Sequence, residues 1–466
     1  MKKKYLSLAA LTACLLVGGL TSCGGVNKDY RKVEVAQLSK DEVVEVTFWH
    51  TMGQANQEKL DSMIAEFNKE WPNIKITHAA QGGYDDIRDK LIKAIPANNL
   101  PTMAFCYPDH VATYLTANAV TPLDQFIESD IADYKLDVED FVEGFWNEGK
   151  EYDEDGTTFS VPFSKSTEVM FYNKTMFDKE GWTVPTTWNE MWTLCETIKA
   201  KYPDVTPLGY DSDDNMYITM SAQHNIPYTS IENKFDFVND DAKAMVKELK
   251  GYYDKGYFKT KGTSANGAYT STQFTDQTLF MTIGSTGGTK YNCPATTDVD
   301  GVDTPAFEVG VAPMPQVDKN NPKVISQGPS ITFFNSSTIS DKQLCAAWMF
   351  YKHITNTKNT AVYSVFTGYE PVRKSAYESD IYKDHMTKEQ AKYQAKLIQN
   401  TAKLTATITD YYFTSPAFEG SSQARSSCGA LLTAVLFAET TPETIDQVIN
   451  EQYDIAYTDC VFAIGG

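Results

Sequence analysis

The sequence predicts an α/β protein of two lobes, each built on a mixed, mostly parallel sheet flanked by helices. Short strand patterns alternate with amphipathic helix patterns in the first part of the chain, and this order produces parallel strands with helices on both faces of the sheet. The 466 residues exceed one ordinary domain and suffice for two sizeable cores. No internal repeat occurs, and no segment beyond residue 22 is long and apolar enough to span a bilayer.

The pattern assigns each element in chain order. Residues 44–49 alternate and are rich in β-formers, which predicts a strand. Apolar residues recur at helical spacing over 60–71, and Pro72 stops that helix. Asp155-Gly156 before the extended segment 158–162 predicts a hairpin turn. The other expected elements are strands at 74–77, 103–105, 169–172, 280–283 and 309–311, and helices at 84–97, 110–118, 188–202, 240–253, 344–354 and 428–437.

The N-terminus has the pattern of a secretory leader. Three lysines follow Met1, residues 5–20 are apolar, and small residues precede Cys23. A cysteine directly after Leu-Thr-Ser resembles the bacterial lipobox, whose cysteine is acylated and becomes the mature N-terminus. We therefore expect a lipoprotein signal peptide at 1–22, a lipidated Cys23 that anchors the chain to the bilayer on its extracytoplasmic face, and a flexible tether at 23–42.

Charge and cysteine spacing exclude several classes of protein. Removal of the leader, which holds three lysines and no acids, changes the formal net charge from −20 to −23. An acidic chain without a basic stripe argues against nucleic acid as a partner. No C-x-x-C pair occurs, which excludes the usual zinc and thioredoxin spacings, and we expect no metal, no cofactor and mostly buried, unassigned cysteines. The cysteines beyond Cys14 and Cys23 are Cys106, Cys195, Cys293, Cys345, Cys428 and Cys460.

Enzyme motifs are absent from the sequence. The segment 284–287 falls short of a nucleophile elbow because Ile283 stands where a glycine is required. No Walker A, G-x-G-x-x-G or H-E-x-x-H pattern occurs, so we expect no catalytic residue. A secreted glycan-acting hydrolase stays open as an alternative, since 61 acidic residues offer many carboxylate pairs. An adhesin or structural lipoprotein is a further alternative.

Polar and aromatic residues follow several predicted strands. Ligands of open α/β sheets bind at such strand ends, where loops converge and helix N-termini present free amides. Serine, glycine, tyrosine and tryptophan supply the hydroxyl and amide partners and the flat aromatic faces that sugars require. The sequence therefore indicates a protein that captures a small, polar, sugar-like ligand.

An ordered set of short segments carries a family resemblance. From about residue 44 to near the C-terminus, the sequence is similar to the extracellular solute-binding proteins of the maltodextrin and sn-glycerol 3-phosphate group, which serve ABC importers. The segments are Phe48-Trp49-His50-Thr51-Met52, Tyr84 after Gly82-Gly83, Val161-Pro162-Phe163-Ser164-Lys165-Ser166, Phe171-Tyr172-Asn173-Lys174, Gly310-Val311-Ala312-Pro313-Met314-Pro315, Thr367-Gly368-Tyr369-Glu370-Pro371 and Gln423-Ala424-Arg425.

The resemblance implies a two-lobe periplasmic-binding-protein fold, type II-like, whose chain crosses between the lobes more than once. The expected N-terminal lobe contains residues 43–162 and about 286–330, and the expected C-terminal lobe contains 163–285 and about 331–466. The implied partners are a sugar, polyol phosphate or oligosaccharide in the cleft and the membrane subunits of an ABC permease. We expect a monomer.

The resemblance also carries eight residues over as ligand contacts. They are Tyr84, Asp109, Ser166, Trp188, Ser285, Gly328 through its amide, Tyr369 and Arg425. Asp109 departs from the group's pattern, which has a glutamate there for the ligand hydroxyls. Arg425 corresponds to a phosphate-gripping arginine, and its small, polar neighbours suit an anion site. Each residue also has an ordinary explanation, such as a helix start for Trp188, a core aromatic for Tyr369, a turn for Gly328 and a surface salt bridge for Arg425.

Overall fold

The computed structural model describes residues 30–465. In chain order its strands are β1 (Val44–His50), β2 (Ile74–Ala80), β3 (Met103–Cys106), β4 (Ser160–Pro162), β5 (Ser166–Asn173), β6 (Thr206–Tyr210), β7 (Phe258–Thr260), β8 (Leu279–Ser285), β9 (Thr296–Val299), β10 (Val302–Pro305), β11 (Val309–Pro313), β12 (Val324–Gln327), β13 (Ser330–Phe333) and β14 (Tyr412–Phe413).

Helices lie between most of these strands, as the sequence predicts. They are α1 (Gln54–Glu70), α2 (Tyr84–Ala94), α3 (Pro108–Thr116), α4 (Asp124–Ile127), α5 (Glu143–Asn147), α6 (Lys174–Glu180), α7 (Trp188–Lys201), α8 (Asp213–His224), α9 (Asp240–Asp254), α10 (Thr270–Thr275), α11 (Asp341–Ile354), α12 (Thr357–Thr367), α13 (Lys374–Glu378), α14 (Asp380–Thr387), α15 (Tyr393–Thr405), α16 (Ser421–Phe437) and α17 (Ile445–Ala463).

The first lobe is built on a five-stranded sheet in the order β2-β1-β3-β13-β4. β1 pairs in parallel with β2 and β3, whereas β13 runs antiparallel to both β3 and β4. The alternation read from the sequence sets the orientation of β1, because Val46 and Phe48 are fully buried while Glu45 and Thr47 are exposed. Leu60 and Phe67 of α1 pack into the same core.

The second lobe is built on a sheet in the order β14-β12-β5-β8-β6-β7, and β11 also pairs with β5. β5 is central and antiparallel to β8, β11 and β12. A separate core lies between this sheet and helices α7, α8, α9, α16 and α17. Capping boxes begin α7 at Thr187 and α11 at Ser340; the predicted start of α7 at 188 is correct, whereas α11 begins three residues before the predicted 344.

The chain passes between the lobes three times. β4 continues into β5, β12 continues into β13, and the third passage runs from Val372 in the first core to Tyr393 in a core under the second sheet. The expectation that the chain crosses more than once is confirmed. The carboxyl end of β3 and the β4–β5 and β12–β13 connections therefore meet where the two lobes face each other.

The structure corrects the predicted division of the C-terminal half. Residues 286–327, predicted in the N-terminal lobe, contain β11 and β12, which pair with β5 in the second sheet. Residues 331–372, predicted in the C-terminal lobe, complete β13 and supply α11, whose Trp348 is fully buried in the first core. The error has a physical cause, since strand pairing between distant segments leaves no mark in local periodicity.

Two local predictions are also wrong. Residues 30–42, part of the predicted tether, pack on the first lobe: Val33 and Leu38 are buried, and the guanidinium of Arg31 donates to the carbonyl of Ile339 at 2.8 Å. The turn around Gly156 is present, but it closes no hairpin, because β4 pairs with β13. The predicted signal peptide at 1–22, Cys23 and the tether residues up to 29 lie outside the described residues.

Cysteine usage agrees with the sequence analysis. Among residues 30–465 the six cysteines are free thiols, five of them buried and Cys293 half-buried. Burial raises the pKa of Cys195 and Cys106, so these thiols behave as small apolar groups. No helix within the described range has the length and apolarity needed to cross a membrane.

Candidate functional site

A cavity that is partly open to solvent lies between the two lobes. The first lobe contributes the segment after β3 and one acidic side chain. The second lobe contributes the end of β12, the start of α16 and two loops. The lining residues are Tyr107, Pro108, Asp109 and Glu148 of the first lobe, Tyr228, Thr229, Ile325, Ser326, Gln327, Thr414, Ser415, Pro416, Ser421 and Arg425 of the second, and Gly328 between them.

Of the residues that the structure describes, Arg425 is the one positively charged residue that lines the cavity. It lies in the first turns of α16, where its Nε forms an ion pair with Asp214 Oδ2 at 2.7 Å and its Nη2 donates to the side-chain oxygen of Asn215. An arginine has five N–H groups, and within residues 30–465 Asn215 and Asp214 are the only acceptors in contact with them. Burial acts to lower the pKa of Arg425, but the carboxylates of Asp214 and Asp109 outweigh burial and raise the pKa. The guanidinium is therefore a fixed cation with donors left for an anion.

Asp109 faces the cavity from the first lobe. Proline at the first position of α3 places Asp109 in the first helical turn, directly after the buried strand β3. Its Oδ1 accepts from the backbone N–H of His110 at 3.1 Å, while its buried Oδ2 has no hydrogen-bond partner among the described residues. A buried carboxylate oxygen without a donor is costly unless a ligand supplies one. Asp109 is thus suited to accept from a ligand hydroxyl.

Tyrosine rings form the aromatic side of the site. Tyr84 and Tyr107 are stacked with ring centroids 4.1 Å apart. Burial and the neighbouring Tyr84 phenol raise the pKa of Tyr369, which keeps its hydroxyl neutral. The ring of Tyr369 packs closely against the backbone of the second lobe at Gly287, where an added Cβ would lie only 2.5 Å from the ring. Of these rings, Tyr107 lines the cavity, and its face suits the C–H surface of a polyol or sugar.

Gly328 lies at the second passage between the lobes, where only glycine fits. Its φ is 104°, in the left-handed region, and an added Cβ would lie 2.4 Å from the carbonyl oxygen of Ser164. The chain therefore approaches the cavity closely at this point. The expected placement of Gly328 in the cleft agrees with the structure.

The structure brings five of the eight predicted contacts together. Asp109, Gly328 and Arg425 line the cavity, and Tyr84 and Tyr369 lie beside Tyr107 and Gly287. Ser166 is buried in β5, where it pairs with the cavity residue Gln327. Ser285 ends β8, and its Oγ accepts from the N–H of Gly287 at 3.2 Å. Neither serine lines the cavity.

Trp188 was predicted in the cleft, and the structure contradicts this placement. Its indole is 4% exposed, stacks on Trp192 and donates from Nε1 to Gln223 at 2.9 Å. It belongs to the second core and borders a separate pocket between α7, α8 and α9 that shares no residue with the cavity. The ordinary explanation, an apolar residue at a helix start, is the correct one.

Sequence reasoning missed most of the second-lobe lining. The Thr414-Ser415-Pro416 loop and Tyr228 come from segments without a strand or helix pattern, so nothing local marked them. Tyr107 had a signal, since it follows β3 directly at the edge where ligands of α/β sheets bind. No cluster of three or more metal-ligating side chains occurs in the described part of the chain.

Polar contacts connect the lobes across the cleft mouth. The guanidinium of Arg88, on α2, donates to Ser422 Oγ at 3.3 Å and to Ser426 Oγ at 3.2 Å, both on the α16 turns that carry Arg425. Elsewhere the Lys290 ammonium donates to the side-chain oxygen of Asn56 at 2.9 Å. These contacts exist only when the lobes are together, so they stabilise the closed form.

We expect Arg88→Ala to weaken ligand binding without any contact to the ligand. Loss of two charge-assisted hydrogen bonds across the mouth should raise Kd about three- to tenfold, mainly through faster dissociation. Stopped-flow kinetics measures the dissociation rate, and Lys93→Ala, an exposed lysine on the same helix, is the control. An unchanged dissociation rate in Arg88→Ala would refute the role of these contacts.

Comparison with known proteins agrees with this geometry. The chain is 26% identical over 386 residues to the sn-glycerol-3-phosphate-binding periplasmic protein UgpB of Escherichia coli (strain K12), an alignment that covers 77% of this chain and 80% of that protein. UgpB from Mycobacterium tuberculosis in complex with glycerophosphocholine has the same fold, with a TM-score of 0.73 at 18% identity over 90% of this chain and 99% of that one.

A second solved structure and a family model extend the comparison. The ABC substrate-binding protein Lmo0181 from Listeria monocytogenes in complex with cycloalternan superposes with a TM-score of 0.71 at 16% identity and covers 90% of this chain and 99% of that one. The two-lobe binding-protein fold expected from the sequence is confirmed by these likenesses. A family model described as bacterial extracellular solute-binding protein matches residues 62–390, which is most of the chain. The chain belongs to the family of bacterial extracellular solute-binding proteins.

Proposed function

We propose that this solute-binding protein is the receptor of an ABC importer for a small phosphorylated polyol or its phosphodiester. The observation that carries the proposal is Arg425, a half-buried guanidinium held in the cleft with N–H groups left for an anion. The relatives named for glycerol 3-phosphate and glycerophosphocholine support the same class of ligand. Arginine binds phosphate through two parallel hydrogen bonds, which gives orientation as well as affinity.

The remaining walls suit the other end of such a ligand. The phosphate lies against Arg425 and Ser421 at the start of α16, where helix amides add positive potential. Asp109, across the cavity, accepts from the polyol hydroxyls. The stacked rings of Tyr84 and Tyr107 cover the C–H surface. A ligand held from both sides favours the closed lobes.

Closure couples capture to delivery. The three chain passages form a hinge, and a ligand that contacts both lobes shifts the open–closed equilibrium toward the closed form. The closed receptor then docks on the permease, which draws the lobes apart and receives the ligand. The relatives are named as binding proteins, and the same role here involves no chemical change of the ligand.

A ligand panel tests the proposal. sn-Glycerol 3-phosphate and glycerophosphocholine should raise the melting temperature and titrate at one site with Kd near the micromolar range, about −8 kcal/mol. Maltodextrins and glycerol should not. Saturable binding of a neutral oligosaccharide without binding of the phosphates would overturn the ligand class, and turnover of a glycan would favour the hydrolase alternative.

We also propose that Cys23 anchors the receptor to the membrane. The lipobox-like Leu-Thr-Ser-Cys pattern supports this proposal, and Cys23 is the residue that acylation requires. Cys23→Ser should move the protein from the membrane fraction to the soluble fraction, as measured by fractionation and by mass spectrometry of the N-terminus. Persistence in salt-washed membranes would show that the anchor lies elsewhere.

A further inference from the structure

A buried carboxylate lies behind the cleft arginine. Glu168, on β5, is 1% exposed, and both of its oxygens accept hydrogen bonds. The hydroxyl of Tyr210 donates to Oε2 at 2.5 Å, and the side-chain amide of Asn215 donates to Oε1 at 2.9 Å. A buried carboxylate is expensive to keep, so its presence calls for a role beyond packing.

The amide of Asn215 connects Glu168 to Arg425. Its nitrogen donates to Glu168 and also to Gln327 Oε1 at 2.9 Å, and its oxygen accepts from Arg425 Nη2. Two acceptors on the nitrogen side fix which end of the amide faces each way. The oxygen must then face the guanidinium, and this contact, together with the Asp214 ion pair, orients the N–H groups left for the ligand.

We propose that Glu168 is a positioning residue that holds Arg425 in its ligand-binding orientation through Asn215. This inference rests on the proposed function, in which Arg425 binds an anion. Glu168 does not line the cavity, so we place it behind the ligand site rather than in it. Its neighbour on β8 is Ser285, which does not line the cavity either.

Charge gives Glu168 a second effect on the site. Burial raises its pKa to about 7, partly offset by the hydrogen bonds from Tyr210 and Asn215. The titratable and charged groups that face it are Tyr210 on β6, Asp214 on α8 and Arg425 on α16. A negative charge behind Arg425 opposes an anionic ligand, so binding should weaken as pH rises through neutrality and Glu168 ionises.

Two substitutions separate orientation from charge. Glu168→Gln keeps an acceptor for Asn215 and a partner for Tyr210 but cannot ionise. Glu168→Met keeps the volume and removes the acceptor. The control is Glu180→Met, since Glu180 is another acid with a largely buried side chain that accepts from a tyrosine, Tyr202 at 2.7 Å, but it lies on α6 outside the cleft.

The first readout is the affinity for glycerophosphocholine, a phosphodiester whose own charge does not change between pH 6 and pH 8. The parent should lose affinity across this range, about threefold or more. Glu168→Gln should bind without that pH dependence, and Glu168→Met should bind about tenfold more weakly at pH 8. Glu180→Met should match the parent. If Glu168→Met binds as tightly as the parent while Arg425→Ala binds more weakly, the positioning role of Glu168 is wrong and the phosphate proposal stands.

The second readout needs no ligand and so stands apart from the proposed function. In a crystal structure of Glu168→Met, the Asn215 amide should turn and the Arg425 side chain should leave it, whereas in Glu168→Gln both should keep their places. Unmoved Asn215 and Arg425 in Glu168→Met would overturn the inference. If Arg425→Ala binds glycerophosphocholine like the parent, the phosphate proposal fails, and this structural result still decides the positioning role.

Discussion

Arg425→Ala should weaken binding of sn-glycerol 3-phosphate by about 2–5 kcal/mol. The substitution removes a charge-assisted, bidentate contact and leaves the phosphate beside Asp109 and Asp214, two carboxylates that the guanidinium now offsets. Both effects act only on the complex, so affinity should change far more than the stability of the free protein. Isothermal titration at constant ionic strength measures the loss.

Two variants give this experiment its controls. Arg425→Lys should recover only part of the affinity, because an ammonium is a point charge and cannot make the planar fork. Arg31→Ala removes an arginine of nearly equal exposure, 18% against 20%, that is also paired with an aspartate but lies on the first lobe away from the cleft. Arg31→Ala should bind like the parent, and an Arg425→Ala protein that does so too would remove the case for phosphate.

A neutral oligosaccharide would reverse the order of effects. In that case the aromatic faces supply most of the binding, and Tyr369→Ala or Tyr107→Ala should cost more affinity than Arg425→Ala. The family resemblance implied this aromatic role for Trp188 as well. The indole of Trp188 is hydrogen-bonded inside the second core, so Trp188→Ala should instead lower the stability of that lobe.

The predicted residues that line the cavity share a local signal. Asp109 lies in the first turn of a helix after a buried strand, Arg425 lies in the first turns of a helix among small polar residues, and Gly328 needs a left-handed backbone. Each of these features can be read from a few neighbouring residues. The strand before Asp109 could be predicted for the same reason.

The residues placed wrongly depend on distant partners. Trp188 begins a helix whether its indole faces the cleft or the core, and only packing against Trp192 and Gln223 decides between them. β13 belongs to the first sheet because it pairs with β3, more than two hundred residues earlier in the chain. Periodicity identifies a strand without naming its neighbour, which is why the lobe boundaries after residue 285 could not be derived.

Lys165→Met should lower the free energy of unfolding by about 3–5 kcal/mol. Lys165 is fully buried in the first passage between the lobes, and its ammonium donates to Glu148 Oε2, to Ser330 Oγ at 3.2 Å and to the carbonyl of Gly328 at 3.4 Å. Removal of the ammonium leaves the carboxylate of Glu148, 5% exposed, without its counter-charge. Chemical denaturation of the ligand-free protein measures the loss.

A double-mutant cycle shows whether the cost comes from the unpaired charge. Glu148→Met alone leaves a buried ammonium and should be comparably destabilising, whereas Lys165→Met with Glu148→Met removes both charges and should recover much of the stability. Lys358→Met is the control, because the Lys358–Glu66 pair has a similar charge contact but is 59% and 42% exposed. Additive losses in the double variant would contradict the pairing. Recovery would show that the cost of each single substitution comes from the charge left unpaired at the first passage between the lobes, where Lys165 also contacts Gly328 of the second passage.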